Sequence, residues 1–164
     1  MTTDKNIEES RRLARHPQVA AQQQQCYANA FRTALFVPEY GDATYVEGIA
    51  VFRGGGCIEH GWVEKDGQVV DPTLPEVDML YFSGLRFDGV RAVCKAMRKI
   101  PKAKGCTDLP LFYRFGWGGK DSPEFCAAWK RAFKYCDECL QARRESEKAS
   151  KSVGERSRDE HGTG

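Results

Sequence analysis

The sequence predicts an α+β fold: a compact antiparallel sheet packed against a helix near the N-terminus, with a further helix docked near the C-terminus. A β-hairpin is indicated by two strand-like runs, residues 58–63 and 68–71, which flank the turn dipeptide Asp66-Gly67. A helix is indicated over Cys26–Phe36, where apolar side chains are spaced four apart ahead of a proline. The last helix is expected to begin after Ser122, which precedes a proline suited to the first helical position.

The remaining elements are predicted from the positions of proline and glycine and from apolar patterning. A short polar helix should end before Pro17, because proline interrupts helical hydrogen bonding. A later helix should be capped by Asp88. The predicted bounds are helices at 7–16 and 88–99, strands at 45–52 and 109–115, and a short strand or loop at 81–85.

The last predicted helix has one apolar face, which should dock it on the sheet. Its members are separated by four, four, three and four residues: Phe125, Trp129, Phe133, Cys136 and Leu140. From Arg143 the composition is mostly charged, Ser and Gly with no apolar stripe, which predicts a disordered tail over 145–164. Since no internal repeat is found, we expect one catalytic domain over 1–144.

Composition and charge limit the classes of partner. The chain has 164 residues, of which 41% are hydrophobic and 29% charged, as is typical of globular proteins. A formal net charge of +2 argues against a dedicated nucleic-acid binder, and no apolar run is long enough to span a bilayer. Residues 1–15 are polar and lack the apolar segment of a signal peptide, so we expect a cytoplasmic protein.

Cysteine is the first candidate for chemistry. The chain has seven cysteines, and without a secretion signal we expect thiols rather than disulfides. Most should be small buried residues, but Cys26 lies at the predicted start of a helix. The N–H groups and positive dipole end at that position favour a thiolate and can stabilise an acyl oxyanion. Cys26 is therefore the predicted nucleophile.

His60 is the predicted base by elimination. The chain has three histidines. His16 lies in the polar N-terminal segment and His161 in the predicted tail. Only His60 lies in a strongly patterned region, so a histidine base would have to be this residue.

The orienting acid follows from the geometry of the hairpin. With Asp66-Gly67 as the two turn residues, Trp62 faces Asp71 across the strands. His60 shares the strand face of Trp62, because side chains alternate along a strand. His60 and Asp71 are then diagonal neighbours with Cβ atoms roughly 7 Å apart or less. A carboxylate there can bond one imidazole nitrogen and leave the other for a thiol.

Residues beside this triad are candidates for an oxyanion and substrate pocket. Gln25 is the first candidate for a side-chain oxyanion donor, and the glutamines at 22–24 remain alternatives. Tyr27 and Asn29 are expected to support the nucleophile helix. Trp62 is expected to be part of the core or of a pocket wall.

These residues together resemble the papain-like superfamily, particularly its transglutaminase-like branch. The stretches that carry the resemblance are CYANA at 26–30, YVEG at 45–48, EHGWV at 59–63 and DGQVVDPT at 66–73. Similar sets occur in small uncharacterised bacterial and phage proteins, and the His-x-Trp … Asp-Pro-Thr hairpin is the most specific part. The resemblance implies Cys26 as nucleophile, His60 as base and Asp71 as orienter, on a sheet packed against the nucleophile helix.

The predicted function is a cysteine-dependent hydrolase or acyltransferase with a thioacyl intermediate and no metal or organic cofactor. The substrate would be a peptide, a protein or a small amide or ester. Larger members of the superfamily carry long substrate-binding insertions that this chain lacks, so hydrolysis and acyl transfer both stay open. The alternative is a non-catalytic bacterial or phage protein on the same fold that sequesters a host factor or small ligand. Neither nucleic acid nor a membrane is an expected partner.

A second cysteine motif is compatible with a zinc or thiol redox site. Cys136 and Cys139 form a Cys-x-x-Cys pair, but no second pair and no nearby histidine accompany it. Cys106 and Cys126 are only distant partners. Because Cys136 also completes the predicted apolar face, we expect a structural residue and no metal.

Overall fold

Four strands and four α-helices make up the described part of the chain, which covers residues 4–98 and 122–159 of a computed structural model. In chain order the elements are α1 (Ile7–Ala14), α2 (Cys26–Phe36), a 3-10 turn (Pro38–Tyr40), β1 (Thr44–Phe52), β2 (Cys57–Lys65), β3 (Gln68–Val70), β4 (Met79–Asp88), α3 (Gly89–Arg98) and α4 (Pro123–Asp159). The strand predicted at 109–115 lies outside the described residues.

The strands form one antiparallel sheet in the order β3-β2-β1-β4. The central strand β1 is buried along almost its whole length, because β2 and β4 flank it and helices pack on the sheet. The predicted α+β class, with an antiparallel sheet and a C-terminal helix packed against it, is confirmed. The segment at 81–85, left open between strand and loop, lies within the ten-residue strand β4.

The β2–β3 hairpin has the predicted register. Asp66 and Gly67 form the turn with φ values of 51° and 77°, the left-handed conformation that a two-residue hairpin turn requires. The paired residues are Lys65 with Gln68, Glu64 with Val69, and Val63 with Val70. This register determines which side chains of β2 lie beside the residues that follow β3.

An N-terminal strap, residues 4–6, extends the sheet beyond β3. The Val69 N–H donates to the Asp4 carbonyl at 2.9 Å, and the Asn6 N–H donates to the Val69 carbonyl at 2.8 Å. Lys5 lies between these two hydrogen bonds and forms a parallel bridge with Val69. No pattern in the sequence predicts this pairing. It places the side chain of Lys5 near the end of β3.

The helix α4 docks on the sheet through small as well as large residues. Ser122 caps it, since its Oγ accepts from the Phe125 N–H at 3.2 Å. The residues of α4 buried against β1 are Phe125, Ala128, Ala132 and Cys136. Phe133 and Leu140, predicted to lie on the docked face, are 51% and 43% exposed. The apolar spacing therefore located the helix but misplaced the centre of its buried face.

The structure differs from the predicted tail. Residues 145–159 continue α4 as helix, where the sequence predicted disorder; residues 160–164 lie outside the described part. Charged residues are good helix formers, and pairs four residues apart such as Arg143 and Glu147 add local support. Among the described residues, no helix has the length and apolar character needed to cross a membrane.

Candidate active site

The nucleophile candidate Cys26 is the first residue of α2. The chain turns sharply before it, since Gln24 has φ of 64° and Gln25 is the N-cap residue. The Gln25 side chain does not cap the helix. In a first helical turn the N–H groups have no intrahelical partner and are directed outward along the axis. Cys26 thus lies where the backbone favours a negative charge.

Gly61 of β2 brings the first turn of α2 into contact with the sheet. A Cβ on Gly61 would lie 2.8 Å from Tyr27 Cδ1 and 3.0 Å from Tyr27 Cα, closer than real Cβ contacts. Only glycine permits this approach without a shift. Since Gly61 follows His60 directly, the same contact places the start of α2 next to His60.

Replacing Gly61 with alanine should therefore destabilise the protein by about 1–3 kcal/mol, because overpacking displaces the start of α2. The measurement is the free energy of unfolding in urea. Gly54→Ala is the matched control, since a Cβ on Gly54 meets nothing within 4 Å. Equal stabilities for the two variants would contradict the close contact.

His60 and Asp71 form a buried pair, as hairpin parity predicts. His60 Nε2 lies 2.9 Å from Asp71 Oδ2, and the two residues are 1% and 0% exposed. Burial by itself disfavours both charges. For Asp71, burial is outweighed by His60 together with the Lys5 charge and the Leu74 N–H, so its pKa is lowered. For His60, burial is outweighed by Asp71 together with Cys26, so its pKa is raised.

Both oxygens of the Asp71 carboxylate form hydrogen bonds. Its Oδ1 accepts backbone N–H groups from Thr73 at 3.0 Å and Leu74 at 3.2 Å, the turn expected of an Asp-Pro-Thr sequence. Its Oδ2 accepts the Tyr81 hydroxyl at 2.9 Å in addition to His60. The turn and the contact with His60 thus use different oxygens of one carboxylate.

The thiol of Cys26 completes the constellation. It interacts with the His60 side chain, and this interaction contributes to the raised pKa of His60. Because Nε2 bonds Asp71, Nδ1 is the nitrogen left for the thiol. Cys26 is partly exposed, whereas its two partners are buried. Cys26 is therefore accessible from solvent, while His60 and Asp71 stay out of water.

Asn29 connects the nucleophile helix to the loop that carries the acid. Its Nδ2 donates to the Gln22 carbonyl at 2.7 Å and to Thr73 Oγ1 at 3.0 Å. Its Oδ1 accepts the Gln22 N–H at 3.2 Å. This fully buried amide links the turn before Cys26 to the turn after Asp71, in agreement with its expected supporting role.

The other predicted pocket residues occupy different environments. Gln25 Nε2 donates to Gln22 Oε1 at 2.6 Å, and its Oε1 accepts from Arg32, so its carboxamide is bonded along the helix surface. Tyr27 packs against Gly61. Trp62 is fully buried, so it packs behind the imidazole and does not form an exposed pocket wall.

Sequence reasoning missed Lys5 and Tyr81, which both reach Asp71. Lys5 Nζ lies 3.9 Å from Asp71 Oδ2, and the Tyr81 hydroxyl donates to the same atom. Tyr81 comes from β4, on the far side of β1, and Lys5 from the strap. No motif or spacing in the sequence signals either contact.

The second cysteine motif is part of a different cluster. Cys136 is buried where α4 meets the sheet, near Cys57 at the start of β2, whose pKa is raised by burial and by Cys136. Cys139 lies near Tyr135 and raises the pKa of its hydroxyl. The six cysteines of the described ranges are in the thiol form, and within those ranges no group of three or more potential ligands is arranged to hold a metal. Cys106 lies outside them.

A cavity of about 250 Å³ lies at the opposite end of the β1–β2 pair. Its lining includes Thr44, Glu64, Lys65 and Arg86, but no residue of the triad. Its charges are already paired, Lys65 with Asp42 and Arg86 with Glu64. It is therefore separate from the candidate active site.

Comparisons of this chain with protein-family models, curated proteins and solved structures gave no match.

Proposed function

We propose that this protein is a cysteine-dependent hydrolase or acyltransferase that acts on amide or ester bonds through a Cys26–His60–Asp71 triad. The observation that carries the proposal is the chain of contacts from the thiol at the start of α2, through the imidazole, to a buried carboxylate. This is the nucleophile, base and orienter arrangement of covalent catalysis. The same arrangement of thiol, imidazole and carboxylate supports the resemblance to papain-like and transglutaminase-like enzymes.

The chemistry begins with transfer of the Cys26 proton to His60, which Asp71 favours by stabilising the imidazolium. The thiolate attacks the substrate carbonyl, and N–H groups of the first turn of α2 stabilise the oxyanion. As the tetrahedral adduct collapses, its carbon–heteroatom bond breaks and the imidazolium protonates the leaving amine or alcohol. A thioester on Cys26 remains.

The second half-reaction releases the acyl group. Water or an amine attacks the thioester while His60 takes a proton from the attacking group. The acid or the new amide then leaves, and the thiol returns with its proton. Because Cys26 is partly exposed and His60 is buried, the proposed acceptor approaches from the Cys26 side.

Selective alkylation tests the nucleophile. At about pH 6 an ordinary thiol is under ~1% ionised and reacts slowly. Iodoacetamide, followed by mass spectrometry of the cysteine peptides, should label Cys26 at least ~10-fold faster than the other six cysteines. Equal labelling of all seven would contradict the enzyme and favour the non-catalytic binding protein on the same fold.

An activated ester tests the covalent intermediate. p-Nitrophenyl acetate should give a burst of nitrophenolate and an acetyl thioester on Cys26. Decay of the thioester in water defines a hydrolase, and faster decay on addition of glycinamide defines an acyltransferase. Cys26→Ser should abolish the burst, and the matched control Cys94→Ser, in α3, should keep it. A burst that survives Cys26→Ser would contradict the proposal.

A further inference from the structure

The side chain of Lys5 is buried beneath the candidate active site. It is 7% exposed, and its Nζ donates to the carbonyl oxygens of Leu74 and Val77, the second at 2.9 Å. Lysine is almost never buried to this degree unless it is paired. Burial lowers the pKa of Lys5 although nearby carboxylates oppose the shift. Those carboxylates belong to Asp71, Asp78 and Glu76.

The ammonium group of Lys5 lies beside the carboxylate oxygen that bonds the base. Nζ is 3.9 Å from Asp71 Oδ2, and His60 Nε2 is 2.9 Å from the same atom. Oδ2 therefore faces two cations whenever His60 is protonated, whereas Oδ1 is bonded by backbone N–H groups. One carboxylate shared by two cations stabilises each of them less than it would stabilise one alone.

We propose that Lys5 is a positioning residue of the site, which shares the Asp71 carboxylate with His60 and so makes the imidazolium a readier proton donor to the leaving group. The proposal rests on the function proposed above, because only the acid–base role of His60 gives the shared charge a catalytic consequence. It extends that function to the N-terminal strap, whose backbone pairing with β3 delivers Lys5 to the carboxylate.

The direction of the effect follows from the charges around the ring. The titratable groups beside His60 are Cys26 from α2, Asp71 after β3 and Tyr81 from β4. Lys5 from the strap lies next to the Asp71 oxygen that bonds the ring. Asp71 raises the pKa of His60, and an imidazolium held too strongly is a poor general acid. The positive charge of Lys5 acts against that rise.

An NMR titration of the His60 ring in the full chain tests the proposal. Lys5→Met keeps the apolar stem and the backbone bonds of the strap but removes the charge. We expect it to raise the pKa of His60 by about one unit. Lys5→Arg restores the charge and should return the pKa to the value of the unmodified protein. An unchanged or lower His60 pKa in Lys5→Met would overturn the proposal.

The control is Lys65→Met. Lys65 pairs with Asp42 at the other end of the sheet, so its loss should leave the His60 titration unchanged. A shift equal to that of Lys5→Met would show that any lost charge produces the effect, and would overturn the specific role of Lys5.

The titration does not depend on the reactivity of Cys26, so the two proposals can fail separately. A raised His60 pKa in Lys5→Met with an inert Cys26 supports the shared carboxylate and refutes the enzyme. A reactive Cys26 with an unshifted His60 refutes only the role of Lys5. If Lys5→Met does not fold, the Lys5 Cε signal of the unmodified protein should shift at the pH where the His60 ring titrates. Independent titrations would overturn the proposal.

Discussion

Replacing His60 with glutamine should slow alkylation of Cys26 at about pH 6 by at least tenfold, and turnover of an ester or amide substrate by about 10³-fold. Without the imidazole, an ordinary thiol is only ~0.3% ionised at that pH. The greater nucleophilicity of a less stabilised thiolate offsets part of this loss during alkylation. Turnover falls further because the leaving group also loses its general acid.

The control for this variant is His16→Gln. His16 follows α1, and its Nδ1 accepts a hydrogen bond from the Gln18 N–H. This contact involves no residue of the triad. Both rates should stay at the level of the unmodified protein. Circular dichroism of both variants establishes that they are folded. If a folded His60→Gln protein is alkylated at the unmodified rate, the reactivity of Cys26 owes nothing to His60, and the triad has no catalytic role.

Replacing Asp71 with alanine should lower the free energy of unfolding at neutral pH by about 3–5 kcal/mol, because it leaves buried partners without their shared acceptor. Those partners are the His60 ring, the Lys5 ammonium, the Tyr81 hydroxyl and the N–H groups of Thr73 and Leu74. Since domains are stable by only about 5–15 kcal/mol, the variant should be partly unfolded at moderate urea concentrations.

Asp42→Ala is the matched control for this measurement. Asp42 is 81% exposed and pairs with Lys65 on the surface, so its loss should cost less than about 1 kcal/mol. Asp71→Asn should be intermediate, because its amide oxygen can still accept the turn N–H groups but carries no charge. Equal stabilities for Asp71→Ala and Asp42→Ala would show that the buried cluster does not depend on the carboxylate.

The pH dependence of the free energy of unfolding should reflect the ionisation of Asp71 and His60. The folded-state pKa of Asp71 is lowered, so its contribution is present above the unfolded value of about 3.9 and is lost as pH falls through the folded value. The folded-state pKa of His60 is raised, so its contribution is complete below about 6.5 and is lost as pH rises through the folded value. Urea midpoints should therefore show the pair contributing most between about pH 4 and 6.5, and Asp71→Ala should remove that maximum.

The geometry of the β2–β3 hairpin could be predicted from the sequence. A type I′ turn needs positive φ at both central positions, and the dipeptide Asp66-Gly67 meets that need. Once the turn was located, strict alternation along the strands placed His60 and Asp71 on one face. The juxtaposition of base and acid was predictable because it depends on local geometry alone.

The buried face of helix α4 could not be predicted from the local apolar pattern. Apolar spacing marked the helix, yet its buried face is centred on Ala128 and Ala132, which fit closely against the sheet, while Phe133 is half exposed. Shape complementarity between two surfaces decides such a face, and hydrophobicity along one chain does not record it. The extension of the helix to Asp159 was not predicted. The absence of an apolar stripe argues against docking of this segment on the sheet, but it does not argue against a helix.

The fold class, the hairpin register and the His60–Asp71 pair could be predicted because each follows from short-range spacing and turn chemistry. How Cys26 meets that pair could not, because the approach depends on Gly61 admitting the first turn of α2 in the folded protein. Only the tertiary structure decided that Lys5 and Tyr81 converge on the same carboxylate. These contacts join segments far apart in the chain, and strand order and packing, rather than any local preference, bring them together.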